Sequence, residues 1–530
     1  MSLVLHDIRF QWIIAAILMM TVILRTVFLL NTAWGFNTDD AYITLRYSRN
    51  LVNGQGIVWN AGEIPATEGY SNFSFVILGA IALKMGWDPL KAFKLLCSSS
   101  LIITCWLLYM IARFMVSPIP ATIPAILITT YLGTIWWTVS GLETSFYQAI
   151  VIAAFYVYLL GLGYRPVDGQ VRTGYGYPEY STKLLGISGS LIFLASITRP
   201  EGPIFWIAFS IPLLINFLYY GSSTGICFHF PAFLDQKLRD PRGIIAISSA
   251  FWVPYAMYFI WRLYWFERIF PNSVYCKSGY EENPFSLLES FFVLAWPFLL
   301  LAVVGSWRKL DILHAVIWLL ALFFLVVYYK VDPILGYYNR YFLSICALVL
   351  IPTTSGILRT FLYWLDDRKI GELAIVLALI VLTGYKTGVA KNVLYNKAVF
   401  YANRMDAREQ MARWINQNLH PQDSFVIGDA GLVPYLAVAN VMDAYCLNSG
   451  EMTRPPINRS PERYVETILE RKPEIIVVQS VQRDVLIPPM YFGTYPLLVA
   501  HPDFAREYSK VNVFGAQYDD IQYLIYKRKD

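Results

Sequence analysis

Directly after the first apolar stretch of the chain comes the run Phe36-Asn37-Thr38-Asp39-Asp40-Ala41-Tyr42. Two adjacent carboxylates within a few residues of a bilayer surface are unfavourable unless something uses them, and three uses fit: a general base, a metal site or a cation contact. Asp39 and Asp40 are therefore the candidate catalytic residues, and they are also where a divalent cation would be held if the chemistry uses one. A helix N-cap or an Asx turn opening the amphipathic segment 41–51 accounts for one aspartate at most.

Other polar clusters interrupt the apolar sequence. Arg199-Pro200-Glu201-Gly202 reads either as a tight turn with an Arg–Glu pair or as an anion contact beside an acid. Pro271-Asn272-Ser273-Val274-Tyr275-Cys276-Lys277 follows a span ending in aromatics, and Arg340 stands among Tyr337, Tyr338 and Tyr341. Aromatic belts and snorkelling cations occur at membrane edges without any chemistry. Convergence argues for more. Arg199, Lys277 and Arg340, joined by Arg46 from the first loop, are expected on one face, where several cations beside a carboxylate pair suit a phosphate-bearing ligand. Tyr42, Glu143, Glu201, Asn272 and Tyr338 complete the candidate set.

These residues must be held by membrane elements. Of 530 residues 56% are hydrophobic and 15% are charged, against about 25% charged in soluble domains. Apolar stretches of membrane-spanning length recur from residue 10 to about residue 388, which predicts an all-α polytopic membrane bundle. Spans are expected near 10–31, 95–115, 119–137, 142–162, 184–198, 203–220, 244–265, 290–306, 312–329, 341–361 and 371–388. The stretch 73–86 would cover about 21 Å as a helix, too short to cross, and is expected to be re-entrant or interfacial. This parity puts loops with Arg165, Arg172 and Lys183, with Lys237, Arg239 and Arg242, with Arg308 and Lys309, and with Arg368 and Lys369 on one side, the cytoplasm by the positive-inside rule. Lys84, Lys91 and Lys94 then lie outside with the acidic pair. The segment 174–182, rich in Gly and Tyr, reads as a cytoplasmic loop, and the first apolar run as a signal anchor.

Two modules are expected: residues 1–390, with a first external loop over 32–72, and residues 391–530, a small extracytoplasmic α/β domain. In the latter the pattern predicts helices over 404–419 and 460–471 and strands over 424–428, 473–478 and 523–526. The net charge of +5 is spread over loops and gives no basic stripe for nucleic acid. Five histidines, His6, His229, His314, His420 and His501, never cluster, so a His-rich zinc site is not expected. Of six cysteines only Cys276 and Cys446 fall on the outer side, which excludes a disulfide framework and leaves room for one bridge.

The first-loop run 39–51, followed by Asn53-Gly54-Gln55-Gly56-Ile57-Val58-Trp59-Asn60 and Glu68-Gly69-Tyr70-Ser71-Asn72, resembles the first external loop of bacterial GT-C fold glycosyltransferases, in particular the mycobacterial terminal arabinofuranosyltransferase group. The resemblance continues through Gly141-Leu142-Glu143-Thr144, Thr198-Arg199-Pro200-Glu201-Gly202, Pro271-Asn272-Ser273 with Lys277, and Asp429-Ala430-Gly431. It implies a polyprenyl-phosphate-linked sugar donor and does not carry over arabinose as the sugar. In relatives an apolar or Phe-rich stretch stands where this chain has Asn37-Thr38.

The reading that follows is a glycosyltransferase of the bacterial inner membrane, building a cell-envelope glycan or glycolipid on the outer face. One aspartate acts as general base, and Arg199, Lys277, Arg340 and Arg46 stabilise the departing lipid phosphate. The alternatives are a transporter or flippase of lipid-linked saccharide, expected to carry ionisable groups at mid-membrane and two related halves, and a non-catalytic assembly partner. Asp429 and Asp443 are expected to serve turns.

Overall fold

The computed structural model describes residues 7–166, 181–221, 241–277, 283, 285–307, 311–331, 336–363, 367–481, 493–515 and 521–529. Of the expected features, Arg172, Lys237, Arg239, Arg308, Lys309, His6, His229 and most of segment 174–182 lie outside them.

The chain is mostly helical. Helix α1 spans Ile8–Thr32, α2 Ala41–Val52, α3 Phe73–Lys84, α4 Pro89–Ala112, α5 Ile123–Thr130, α6 Leu132–Thr138 and α7 Thr144–Gly161. Then come α8 Thr182–Thr198, α9 Pro203–Gly221, α10 Arg242–Phe266, the short α11 Asn272–Lys277, α12 Ser286–Ser306, α13 Ile312–Val327, α14 Leu343–Phe361 and α15 Arg368–Asn418. Among the described residues seven helices are long and apolar enough to cross a membrane, and five shorter apolar helices accompany them. This is a multi-pass membrane protein. Each expected span overlaps one of these helices, the third matching the pair α5 and α6, which breaks where Tyr131 is extended. The stretch 73–86 forms the 12-residue α3, about 18 Å long, whose Phe75 packs on Phe93 of α4.

Polar caps start several of these helices on schedule. Asp7, Asp88, Asp311 and Asp367 each accept a backbone N–H from the first turn of α1, α4, α13 and α15. The membrane core is a continuous cluster of buried aliphatic and aromatic side chains drawn from α1, α4, α5, α7 to α10 and α12 to α15.

Beyond the membrane part lies a five-stranded sheet. It is built from β1 (Ser424–Ile427), α16 (Leu432–Leu436), β2 (Asn440–Asp443), α17 (Pro461–Glu470), β3 (Ile475–Ser480), α18 (Thr494–Ala500), α19 (Pro502–Glu507), β4 (Tyr508–Gly515) and β5 (Gln522–Arg528). The strand order is β2-β1-β3-β5-β4. β1 pairs parallel with β2 and β3, whereas β5 pairs antiparallel with β3 and β4. β3 is buried along its whole length, as its apolar run requires of a central strand. Strands β2 and β4 are additional to those expected from the sequence.

The boundary placed at 390/391 falls within α15, a single helix of 51 residues that runs from the membrane part to the sheet. One hydrophobic cluster joins the first loop to that sheet: Ile43, Tyr47, Ile57, Trp59 and Tyr70 pack with Met411, Ile415, Phe425, Val441 and Ile476. Asn60 fastens the edge strand, its Nδ2 donating to the Val441 carbonyl at 2.9 Å and its Oδ1 accepting from the Val441 N–H at 3.0 Å. A disulfide between Cys276 and Cys446 ties α11 to the same unit.

Candidate functional site

The acidic pair is held from both sides. Phe36 is fully buried, stacked on Trp136 with centroids 3.7 Å apart and edge-on to Tyr401 at 4.9 Å. Lys94 Nζ donates to the carbonyls of Trp34 at 2.6 Å and Phe36 at 2.8 Å, satisfying backbone acceptors in the turn that follows α1. The Thr38 N–H donates to the Ser140 carbonyl at 3.0 Å. The Asn37-Thr38-Asp39-Asp40 corner is thus pinned to α4, to the turn before α7 and to the aromatic wall of α6 and α15.

Neither aspartate caps α2 with its side chain, although Asp40 occupies the N-cap position. Asp39 turns toward the sheet unit. Its Oδ2 accepts from the Gly431 N–H at 2.8 Å and its Oδ1 from the Leu432 N–H at 3.0 Å, with Arg408 Nε 3.5 Å from Oδ1. The fit requires a glycine at 431, because a Cβ there would stand 2.0 Å from the Asp39 carbonyl oxygen and 2.4 Å from its carboxylate. The other end of α16 is also held by the first loop. Arg46 donates to the Pro434 carbonyl and Arg49 to the Tyr435 carbonyl, so Asp39 and α2 hold the two ends of α16 with charges of the sign its dipole favours.

Asp429 shares Arg408 with Asp39. Arg408 Nη2 donates to Asp429 Oδ2 at 2.7 Å, and the Tyr523 hydroxyl donates to the same oxygen. Arg408 and the tyrosine hold the Asp429 carboxyl below the usual range against its burial. Asp39 moves the other way: burial pushes it up to about 6, with Arg408 opposing and Asp429 adding to the rise. Asp429 is therefore not a turn residue, and Arg408 and Tyr523 are site components that the sequence reading missed. Asp443, by contrast, holds its own turn by accepting from the N–H groups of Tyr445 and Asn448, each at 2.8 Å.

Asp40 is different from every carboxylate around it. Among the described residues no side chain or backbone group hydrogen-bonds or ion-pairs with its carboxylate. Burial raises its pKa, and Lys277 and Arg340 are the cations whose charge opposes that rise. Lys277 closes α11, and its Nζ has no hydrogen-bond or ion-pair partner among the described residues. Arg340 is buried at 8% exposure, donating from Nε to Thr144 Oγ1 at 3.2 Å and from Nη2 to Glu143 Oε1 at 3.0 Å, and facing the Trp137 ring at 5.0 Å. Its Nη1 remains uncommitted among the described residues.

Glu143 organises the floor beneath them. Its Oε1 accepts from both Arg199 Nη1 at 2.9 Å and Arg340 Nη2 at 3.0 Å, and its Oε2 accepts from Asn72 Nδ2 at 2.8 Å. Asn72 Oδ1 in turn accepts from Thr44 of α2 at 2.9 Å. Arg199 Nε pairs with Glu201, to which the Tyr328 hydroxyl donates at 2.8 Å.

The structure thus redistributes the expected roles. Asp40, Lys277 and Arg340 form one electrostatic group, with Asp39 and Glu143 behind it. Arg46 is committed within the protein: it is 3% exposed and its guanidinium donates to Trp59, Pro434 and Asn60, because the loop needs those carbonyl and amide oxygens satisfied. Arg199 is likewise occupied by two carboxylates, Glu201 and Glu143, and the Tyr328 hydroxyl. Asn272 joins α11 to the sheet unit, its Nδ2 donating to Cys446 and Leu447 carbonyls at 2.8 and 3.0 Å. Glu201 serves Arg199, and Tyr42 packs on Tyr435 with centroids 5.6 Å apart. Tyr338, in the left-handed region at φ 53°, accepts from Lys397 of α15.

A sequence family described as a domain of unknown function (DUF8728) matches residues 396–526. No curated protein sequence matches the chain. Solved structures match nearly all of it. ArnT from Cupriavidus metallidurans bound to undecaprenyl phosphate superposes with a TM-score of 0.55 at 11% identity, over 96% of this chain and 97% of that one. The Archaeoglobus fulgidus oligosaccharyltransferase in the apo form gives 0.57 at 13% identity, over 95% of this chain and 75% of that one. Arabinofuranosyltransferase AftD from mycobacteria gives 0.48 at 12% identity, with 41% of that chain covered, a fit too loose to carry an argument. The fold is that of the GT-C glycosyltransferases.

Proposed function

We propose that the protein is a membrane glycosyltransferase that moves a sugar from a polyprenyl-phosphate-linked donor to an envelope glycan or glycolipid on the outer face of a bacterial inner membrane. One observation carries the reading: Asp40, a carboxylate with a raised pKa and no partner among the described residues, lies beside two cations with N–H groups unused there, in the corner that follows a membrane helix, in a GT-C fold. Carboxylates elsewhere in the neighbourhood are satisfied by the protein. This one is left for a substrate.

In this reading Asp40 accepts the proton of the acceptor hydroxyl as that oxygen bonds to the anomeric carbon. The bond from that carbon to the phosphate oxygen breaks, and the polyprenyl phosphate leaves with its electron pair. Lys277 and Arg340 Nη1 stabilise the phosphate's charge, in a site whose burial strengthens the attraction. Glu143 keeps Arg340 aimed by taking its Nη2, and Asp39 fixes the corner on which Asp40 stands. A divalent cation bridging the acidic pair fits the chain less well, because Asp39 already gives both oxygens to backbone N–H groups and has the Arg408 charge beside it.

Eleven spans with α3 interfacial, and the sheet unit outside, complete the proposal. It is supported by the Cys276–Cys446 disulfide, which suits an oxidising compartment on the side of the acidic pair. Purified protein given polyprenyl-phosphate-linked sugars and an envelope extract should transfer sugar from one of them to a glycan or glycolipid. A folded preparation that neither transfers nor hydrolyses any of a panel covering hexosyl and pentosyl donors overturns the assignment.

A further inference from the structure

One span charge that the proposed chemistry does not use is Arg25. It lies on α1 sixteen residues beyond Arg9, roughly 24 Å along the helix. In a hydrocarbon core of about 30 Å this sets it just beneath the outer headgroups, if Arg9 marks the inner interface. Arg25 Nε donates to Thr387 Oγ1 of α15 at 2.7 Å and Nη1 to the Thr129 carbonyl, at the break between α5 and α6, at 3.0 Å. Those bonds explain its direction but leave its charge unbalanced. No carboxylate pairs with it among the described residues, and its Nη2 has no hydrogen-bond partner there.

A groove of about 300 Å³ opens at this point between α1 and α15, lined by Val22, Arg25, Phe28, Ile380, Thr383 and Gly384 among others. Phe28 and Gly384 are exposed on the outer surface of the bundle, which is the surface that meets lipid. A Cβ built on Gly384 meets nothing within 4 Å, so this residue leaves the groove open at a mid-helix position where glycine costs about 1 kcal/mol relative to alanine. A cation at the edge of a hydrocarbon phase, beside a mostly apolar groove, is complementary to one class of ligand. We infer that this groove binds an anionic phospholipid, its phosphate on Arg25 Nη2 and an acyl chain along Val22, Phe28 and Ile380. The site is separate from the acidic pair and stands independently of the transfer reaction.

Lipid retention tests it directly. Full-length protein in detergent is titrated with phosphatidylglycerol or phosphatidylcholine, and bound lipids are counted by native mass spectrometry. Wild type should hold at least one phosphatidylglycerol about tenfold more tightly than phosphatidylcholine, the factor that a single charge-assisted contact supplies. Arg25→Gln should abolish the preference, and so should Gly384→Leu, which fills the slot while keeping the cation. Gly384→Leu also decides the matter if Arg25→Gln fails to fold, because leucine favours the helix. Inorganic phosphate should not displace the lipid. A preference that survives in either folded variant, displacement by inorganic phosphate alone, or tighter retention of a polyprenyl monophosphate at this groove would overturn the inference.

Discussion

Two neighbouring aspartates have opposite fates in this protein. Asp39 gives both oxygens to the Gly431-Leu432 turn, and Asp40 keeps both free among the described residues. The sequence located the pair from its position after a span, but it could not divide the labour. The partner of Asp39 lies 392 residues away, and nothing local marks Gly431 as the glycine whose missing Cβ admits a carboxylate. Gly431→Ala is accordingly expected to destabilise the fold by about 1–3 kcal/mol, the usual cost of forcing an atom into a closed contact, read as a lower Tm with reduced transfer. Lys277→Met should leave folding intact and lower the transfer rate about 10²-fold, as the removal of one donor to a developing anion does elsewhere. An unchanged rate would remove Lys277 from the site. The raised carboxyl pKa values set the direction of the pH dependence. A carboxyl shifted upward keeps its proton to higher pH, so on acidification Asp39 gives up its acceptor role near pH 6 and Asp40 loses its capacity as base. Transfer should therefore fall on acidification, with the Asp39 contribution lost as the pH drops through about 6; a profile that stays flat through that pH contradicts the Asp39 assignment.

At the scale of elements, apolar run length gave most of the membrane helices, because hydrocarbon accepts little else of that length. The sheet was only partly legible. β3 announces itself as a continuous apolar run, whereas β2 is four residues with no alternation to detect and β4 is an edge strand whose exposed positions mix Ser509 and Lys510 with Val511 and Val513. Least legible was the joint between the first loop and the sheet unit, since Trp59, Asn60 and Arg46 look like solvated loop residues until Val441 and Pro434 are brought to them. Because that joint shares one hydrophobic core, removing residues from 396 onward should expose the first loop and abolish donor binding together with transfer. A monodisperse truncation with intact donor affinity would show that the loop folds alone. The disulfide acts on the same joint, with Lys277 next in sequence to Cys276. Cys276→Ser is expected to cost roughly 2–5 kcal/mol of stability, and reductant should reproduce the loss in wild type but add nothing to the variant.

For the whole molecule, the architecture places every partnered and unpartnered charge of the site at one end of the bundle, where a lipid-anchored donor and a hydrophilic acceptor can meet. Positive residues pointed to the opposite end as cytoplasmic, yet Lys94 sits on the acidic side for a local reason: it holds the Trp34 and Phe36 carbonyls of the turn after α1. Single-cysteine labelling should find positions 55 and 440 accessible from outside and position 368 from inside. Labelling of position 440 from the cytoplasm would contradict the proposed topology.

The central claim is that Asp40 is the base and Asp39 its anchor. Single-turnover transfer from a polyprenyl-phosphate sugar, measured with Tm and donor affinity for Asp40→Asn and Asp39→Asn, separates the two. The account predicts that Asp40→Asn keeps wild-type Tm and donor affinity while the chemical step slows ~10²–10⁴-fold. Asp39→Asn should lower Tm, because an amide nitrogen would face the Gly431 or Leu432 N–H. A folded Asp40→Asn protein that transfers sugar at the wild-type rate would contradict it.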